Sequence, residues 1–278
     1  MTAALEHLID NKKITFIGGG NMARSLINGL QMDNNQVQIC VADPDESQLD
    51  GIRQNWANVT TTSNNLEAID QVDVVILAVK PQIMSEVLKP LATIAQQQKP
   101  LFISIAAGIT EANITDILGA KIPIVRCMPN TPALVQTGAT GLYANQYVSV
   151  EQHELAESIM RAVGITVWMQ EESLLDAVTA VSGSGPAYFF LVMEAMQTTA
   201  EKLGLPAEEA KLLILQTALG AAKLALESRD KPAELRKKVT SKGGTTEAAL
   251  AKLIDGGLPE LFDTALQAAD QRAKELAK

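Results

Sequence analysis

Cysteine is nearly absent: the 278 residues include two, Cys40 and Cys127. That excludes a disulfide framework as the source of stability. Both fall in apparent strands, where free thiols are usually buried. No Cys/His cluster has zinc spacing, so no metal is expected. Histidine is equally scarce, with His7 and His153 alone. Neither lies near a motif, and both read as surface residues. Basic charge is outnumbered, 23 Lys and Arg against 32 Asp and Glu, net −9. That balance argues against a general nucleic-acid binder. No long uninterrupted apolar run occurs, so no membrane span is expected. The opening MTAALEHLIDNKK lacks a basic segment followed by a long apolar core. No signal peptide is expected, and the cytoplasm is the default compartment. Internal repeats and low-complexity segments are missing too.

What is present is a chain of two rhythms, long enough for two domains. From Lys12 to about Trp168, short runs rich in Val and Ile alternate with helical stretches. The runs are Ile14–Gly18, Val37–Asp43, Val72–Val79, Leu101–Gly108 and Ile122–Met128. They are continuous rather than alternating, as in parallel strands buried on both faces. Helical segments at 22–31, 46–56, 82–97 and 111–118 supply crossovers. The pattern predicts a doubly wound, mostly parallel α/β domain over residues 1–170. A further strand-like pair, TGLYAN and GITVWM, flanks a helix at 150–163. After Glu171 the strands stop, and residues 171–278 read as all-helical. Ser182–Pro186 (SGSGP) punctuates two helices there. The segment 187–203 is apolar nearly all round and must be buried, with a partner subunit as one natural cover.

The stretch ITFIGGGNMARSLINGL, Ile14 to Leu30, contains Gly18-x-Gly20-x-x-Ala23 between a strand and a helix. Gly18 permits the tight turn, Gly20 lets backbone approach a pyrophosphate, and Ala23 keeps helix and strand close. Asp43 closes the second strand, at the distance where an acid holds a ribose 2′-OH. A carboxylate there favours NAD(H) and repels a 2′-phosphate; the alternative is a cap on the turn before Pro44. The next basic residue along the chain is Arg53. The segments AVKPQ (Ala78–Gln82) and SIAAG (Ser104–Gly108) fall at strand ends, where ligands bind in such sheets. Small residues Ala106, Ala107 and Gly108 would let a flat ring approach. Lys80 reads equally well as an ordinary loop cation.

VTSKGGTTEAAL, Val239 to Leu250, puts two glycines inside a helical region. Each costs roughly 1 kcal/mol in a helix interior relative to alanine. The hydroxyls that follow suit a helix start, and Glu247 suits its first turn. A helix N-terminus of this kind binds anions through free N–H groups, or is a plain interhelical cap.

The motifs IGGGNMA, AVKPQ, SIAAGIT, RCMPNTPALVQTGATGLYAN, AVSGSGPAYFF and TSKGGTTEAAL occur in that order. Together they resemble pyrroline-5-carboxylate reductases, from about Lys13 to Leu276. The resemblance implies a Rossmann domain followed by an all-α dimerisation domain. It implies reduction of 1-pyrroline-5-carboxylate to L-proline, the last step of proline biosynthesis. It also implies a homodimer, with five dimers in a decamer, and a site shared between one subunit's Rossmann domain and the other's helices. NADP(H) is the cofactor by resemblance, while NAD(H) is favoured by Asp43. Cofactor contacts carry over to Ile17, Gly18, Gly19, Gly20, Asn21, Met22, Ala23, Asn65, Ala78, Val79, Lys80, Pro81, Ile105, Ala106 and Ala107. Lys238 matches a further cofactor position, reached from the partner. Substrate contacts carry over to Glu172, Ser241, Gly243, Gly244, Thr245 and Thr246, with the Thr246 hydroxyl near the ring nitrogen. Two positions depart from the pattern: Lys242 replaces a frequent proline, and Asp43 stands where NADPH-preferring members often carry Ser, Asn or a basic neighbour. Two rival readings are a β-hydroxyacid-type dehydrogenase, with Lys202, Lys211 or Lys223 as acid–base, and a nucleotide-sensing protein without turnover.

Overall fold

The structure, a computed structural model, describes residues 8–32, 36–119 and 121–277. His7 lies outside the described residues. The chain forms two compact units, one running up to Ser184 and rejoined by the segment from Ala269 onward, the other Gly185–Ala268.

The first unit is built on an eight-stranded sheet. Its strands are β1 (Lys13–Ile17), β2 (Gln38–Ala42), β3 (Thr60–Thr62), β4 (Val74–Leu77), β5 (Leu101–Ser104), β6 (Ile124–Met128), β7 (Gly138–Ala144) and β8 (Gly164–Trp168). The order is β3-β2-β1-β4-β5-β6-β7-β8. All neighbours are parallel except β6 and β7, which the short MPNTPALVQT connection joins antiparallel. The strands are apolar on both faces because helices cover both. Ile14 and Phe16 of β1 join Val74 and Ile76 of β4 in one core cluster. Ile17, Val75 and Leu77 point into the other. The period-2 alternation is therefore intact, but both phases are buried.

Helix α1 (Asn21–Met32) buries Ala23, Leu26, Ile27 and Leu30, the i, i+3, i+4, i+7 stripe of a helix lying on a sheet. Helix α2 (Glu46–Asn55) follows β2, and the short α3 (Asn65–Ala68) follows β3. The single helix expected over 82–97 is instead α4 (Met84–Leu88) and α5 (Ala92–Gln98), separated by a 3-10 turn at Lys89–Leu91. Pro90 lacks the N–H that an unbroken helix needs. Strand β3 escaped the sequence reading: three threonines, one exposed and two half-buried, carry no apolar run. Helices α6 (Glu111–Leu118), α7 (Val150–Arg161) and α8 (Leu174–Val178) complete this unit. The SGSGP run does not break the helix outright. Thr179–Gly183 forms a π-turn between α8 and α9 (Gly185–Lys202).

In the second unit, α9 is followed by α10 (Ala207–Glu227), α11 (Pro232–Lys238), α12 (Thr245–Asp255) and the start of α13 (Leu258–Leu276). The expected burial of the apolar helix is not met within one chain. Phe189, Phe190 and Leu191 are each about two-thirds exposed. An apolar surface this wide asks for a covering partner. Among the described residues, one helical stretch, Leu174–Lys202, is long and apolar enough to cross a membrane by length and composition.

Candidate functional site

The strand order reverses between β2-β1 and β4-β5, so β1 and β4 flank a crevice at their C-terminal ends. Gly18 follows β1 at φ +104, a conformation that favours glycine. A Cβ there would lie 2.6 Å from the Ala78 carbonyl oxygen. The glycine turn and the AVKP segment thus touch backbone to backbone. A Cβ at Gly20 would meet nothing within 4 Å. The turn is closed below by Ala78 and open above. Ala23 is fully buried, holding α1 against the sheet. Ile105 donates its N–H to the Leu77 carbonyl at 3.2 Å, bringing the SIAAG segment beside AVKP. So Ile17–Ala23, Ala78–Pro81 and Ile105–Ala107 line one edge. Lys80 is exposed and pairs with no carboxylate among the described residues. Asn65 opens α3, and its buried Oδ1 has no hydrogen-bond partner. An open glycine turn and an unmet acceptor fit a dinucleotide with its hydroxyl groups.

Asp43 follows β2 directly. Its Oδ2 accepts the Gly19 N–H at 2.7 Å, and its Oδ1 accepts the Asp45 N–H at 2.9 Å. It therefore belongs to the glycine turn as well as to the turn at Pro44. Among the described residues Asp43 is ion-paired with no cation, though an arginine binds the same glycine turn. Arg24, on the first turns of α1, donates Nε–H to the Gly19 carbonyl at 3.0 Å. Its Nη2 reaches the Gln48 carbonyl and Oε1 at 3.1 and 3.0 Å. An arginine just after a glycine fingerprint was the available signal.

On the SIAAG side, Glu172 is placed by its partners. Its Oε1 accepts from Arg126 Nη1 at 2.7 Å and from the Glu111 N–H at 2.6 Å. Arg126 is buried on β6. The Glu111 carboxylate in turn accepts from Asn145 Nδ2 at 2.9 Å. This charge-assisted network ties β6, the N-terminus of α6 and the segment before α8 together. Burial pushes the neighbouring Asp176 carboxyl up, while Arg126 pulls it down. Burial likewise raises the Cys127 thiol far above its ordinary value, so it is an inert core residue. Ala106, Gly108, Arg126, Asp176 and Leu276 bound a cavity of about 30 Å³. That volume holds a water but not a ring. Gly108 sits at φ +74 beneath the Leu276 carbonyl, so the last turn of α13 covers this loop.

The second unit carries the Gly-Gly-Thr-Thr turn. Gly243 has φ +73, and Gly244 caps α12 without a side-chain bond. Gly243 donates its N–H to Glu247 Oε2 at 2.6 Å, and Gly244 donates to the Ser241 carbonyl at 3.0 Å. Ser241, Gly243 and Thr245 are exposed; Gly244 and Thr246 are half-buried. Lys238 ends α11 and is ion-paired with Asp230. Lys211 and Lys223 form surface pairs with Glu208 and Glu227. His153 departs from the surface reading: it is half-buried and stacks on Trp168 at 3.6 Å between ring centres. Cys40 is half-buried and Cys127 buried, both unpaired. No cluster of three or more His, Cys, Asp or Glu suited to a metal occurs among the described residues.

Residues 172–276 match the family described as "Pyrroline-5-carboxylate reductase dimerisation", and residues 13–108 match "NADP oxidoreductase coenzyme F420-dependent". A pyrroline-5-carboxylate reductase of Pseudomonas aeruginosa is 52% identical, covering 96% of this chain and 97% of the relative. The solved pyrroline-5-carboxylate reductase of Coxiella burnetii superposes with TM-score 0.92 at 49% identity, covering 97% of this chain and 100% of that one. The pyrroline carboxylate reductase of Plasmodium falciparum, solved with NADP bound, gives TM-score 0.83 at 28% identity over 97% and 100% of the two chains.

Proposed function

The chain belongs to the pyrroline-5-carboxylate reductase family, and from that premise we propose how its residues share the reduction of 1-pyrroline-5-carboxylate to L-proline. It is an NAD(P)H-dependent oxidoreductase acting on a C=N bond. The observation that carries the reading is the open glycine turn packed on AVKP at the strand-order switch, in a chain that matches the family nearly end to end.

Residues 1–170 hold the dinucleotide and residues 171–278 dimerise and hold the substrate. Ile17–Ala23 cradle the pyrophosphate, which would meet the backbone N–H groups at the start of α1, those of Gly18 and Gly19 being held by Ala42 and Asp43. Asp43 and Asn65 meet the adenosine ribose. Ala78–Pro81 and Ile105–Ala107 orient the nicotinamide. When bound, NAD(P)H supplies the hydride that reduces the C=N carbon. Lys238 of one subunit, released from Asp230, meets a cofactor phosphate of its partner. Ser241, Gly243, Gly244 and Thr245 receive the substrate carboxylate, and Thr246 holds its hydroxyl at the ring nitrogen. The protonated imine is already electrophilic, so the chain's task is orientation, worth several kcal/mol. No dedicated acid is required, and neither histidine is used. Glu172 serves the site as a positioning residue, because its Oε1 is committed to Arg126 and Glu111. The functional form is a homodimer, five of which form a decamer, in the cytoplasm. NADPH is the donor implied by resemblance, and NADH is admitted by Asp43.

Thr246→Ala is expected to lower kcat/KM by about ten- to a hundredfold, the loss of one oriented hydrogen bond of about 1.4–2.7 kcal/mol. Unchanged steady-state kinetics in that variant would remove Thr246 from the site.

A further inference from the structure

The Gly-Gly-Thr-Thr turn already holds a carboxylate, and it is the chain's own. Gly244 is the N-cap of α12, and Glu247 lies in the first turn. An acid at that position ordinarily reaches back to the N-cap N–H. Here the Gly244 N–H is taken by the Ser241 carbonyl at 3.0 Å. Glu247 reaches one residue further, and its Oε2 accepts the Gly243 N–H at 2.6 Å. Gly243 has φ +73, and a Cβ there would meet nothing within 4 Å, so the turn is open beside that N–H.

Little else holds Glu247 in place. Among the described residues its carboxylate makes that one bond and no ion pair. Other acids at helix starts are tied down. Glu46 of α2 is ion-paired with Arg53. Glu111 of α6 accepts from Thr115 Oγ1 at 2.8 Å and from Asn145 Nδ2 at 2.9 Å. Glu247 can leave by giving up a single hydrogen bond. The segment before it attracts anions: residues 229–242 carry six cations against two carboxylates, in a chain of net charge −9. Lys237 and Lys238 are paired with Glu234 and Asp230, while Arg236 and Lys242 have no carboxylate partner among the described residues. Such an excess draws an incoming carboxylate toward the turn. One N–H cannot serve two carboxylates, and like charges this close repel.

We propose that Glu247 is an internal occupant of the substrate turn: its carboxylate holds the Gly243 N–H that the carboxylate of the cyclic imine takes. Glu247 thereby sets the affinity for carboxylate-bearing substrates and yields as they bind. This rests on the reading of the turn as the substrate-carboxylate site and goes beyond it by naming the group the substrate displaces.

The test is steady-state kinetics of the full-length protein on two imines, 1-pyrroline-5-carboxylate and 1-pyrroline, the same ring without the carboxylate. Glu247→Gln removes the charge and keeps a side chain that caps at this position. It is expected to raise kcat/KM for 1-pyrroline-5-carboxylate by about three- to tenfold through a lower KM, the scale of one net hydrogen bond. For 1-pyrroline, kcat/KM should stay within about twofold of wild type, because no second carboxylate competes. Glu247→Ala should shift the two imines in the same directions. A purely structural cap would move both imines together. An unchanged or lower kcat/KM for 1-pyrroline-5-carboxylate in variants that keep the wild-type Tm overturns the inference, as does an equal gain on both imines. Wild-type protein that reduces both imines with equal kcat/KM overturns the placement of the carboxylate on this turn, and the inference with it, while imine reduction itself stands.

Discussion

At the scale of single residues, conformation and partners decide what each can do. Gly18 combines φ +104 with a Cβ position 2.6 Å from a carbonyl oxygen. Gly18→Ala is expected to cost about 2 kcal/mol or more and to weaken dinucleotide binding, read by thermal unfolding and titration. Wild-type stability in that variant contradicts the packed turn. Asp176 tests burial. Its carboxyl is raised from its ordinary 3.8 mainly by burial, so the folded chain holds that proton more tightly than the unfolded one. Its contribution favours folding at acid pH and is lost as pH rises through the raised value. Asp176→Asn should therefore raise Tm at neutral pH and lose that advantage below the ordinary carboxyl range. A lower Tm at neutral pH would mean that attraction to Arg126 outweighs burial. Much at this scale was legible in the sequence. Gly18, Gly20, Ala23 and Asp43 are spaced by a local turn, and local spacing is what a sequence displays. Arg24 on Gly19, Arg126 on Glu172 and His153 on Trp168 were not legible as pairs. Apart from Arg24 each joins distant segments, and Arg24 acts through Gln48 on another helix.

At the scale of elements, continuous apolar strands and capped helices were readable because both are local signals. Helix α6 begins at Glu111 behind a Thr110–Asn113 capping box and ends at Gly119 in the left-handed region, so both its ends are written in sequence. Strand β3 was not, because its three threonines gain their place from pairing with β2. The π-turn at Thr179–Gly183 also needed the structure. Asn130 explains part of it: Nδ2 donates to the Ser182 carbonyl and hydroxyl oxygens, and Oδ1 accepts the Ala139 N–H at 2.9 Å. One side chain thus ties the MPNTP loop to β7 and to the π-turn. Asn130→Ala should cost about 2–3 kcal/mol at roughly 1 kcal/mol per bond, read as a lower denaturant midpoint. A midpoint equal to wild type would mean that water replaces all three bonds.

At the scale of the whole molecule, the second unit cannot hide its own apolar surface. Helices α11 and α12 bury no residue, and α10 buries only Ala210 and Ile214. A cleft of about 410 Å³ between α9 and α10, lined by Phe190, Met193 and Leu215, stands open. The match of residues 172–276 to a dimerisation family gives that surface its cover. Leu191→Glu is expected to shift the protein toward monomer in light scattering and to lower activity with it. A fully active dimer carrying that charge would move the interface elsewhere. The sequence had shown that α9 needed cover but not whose, because apolarity carries no address.

The most direct test is the nicotinamide absorbance of purified protein mixed with 1-pyrroline-5-carboxylate and either NADH or NADPH, with proline assayed in parallel. Oxidation of the nucleotide matched mole for mole by proline is the predicted result. Binding of both nucleotides with neither consumed would contradict the account and leave a protein that holds a dinucleotide without reducing an imine.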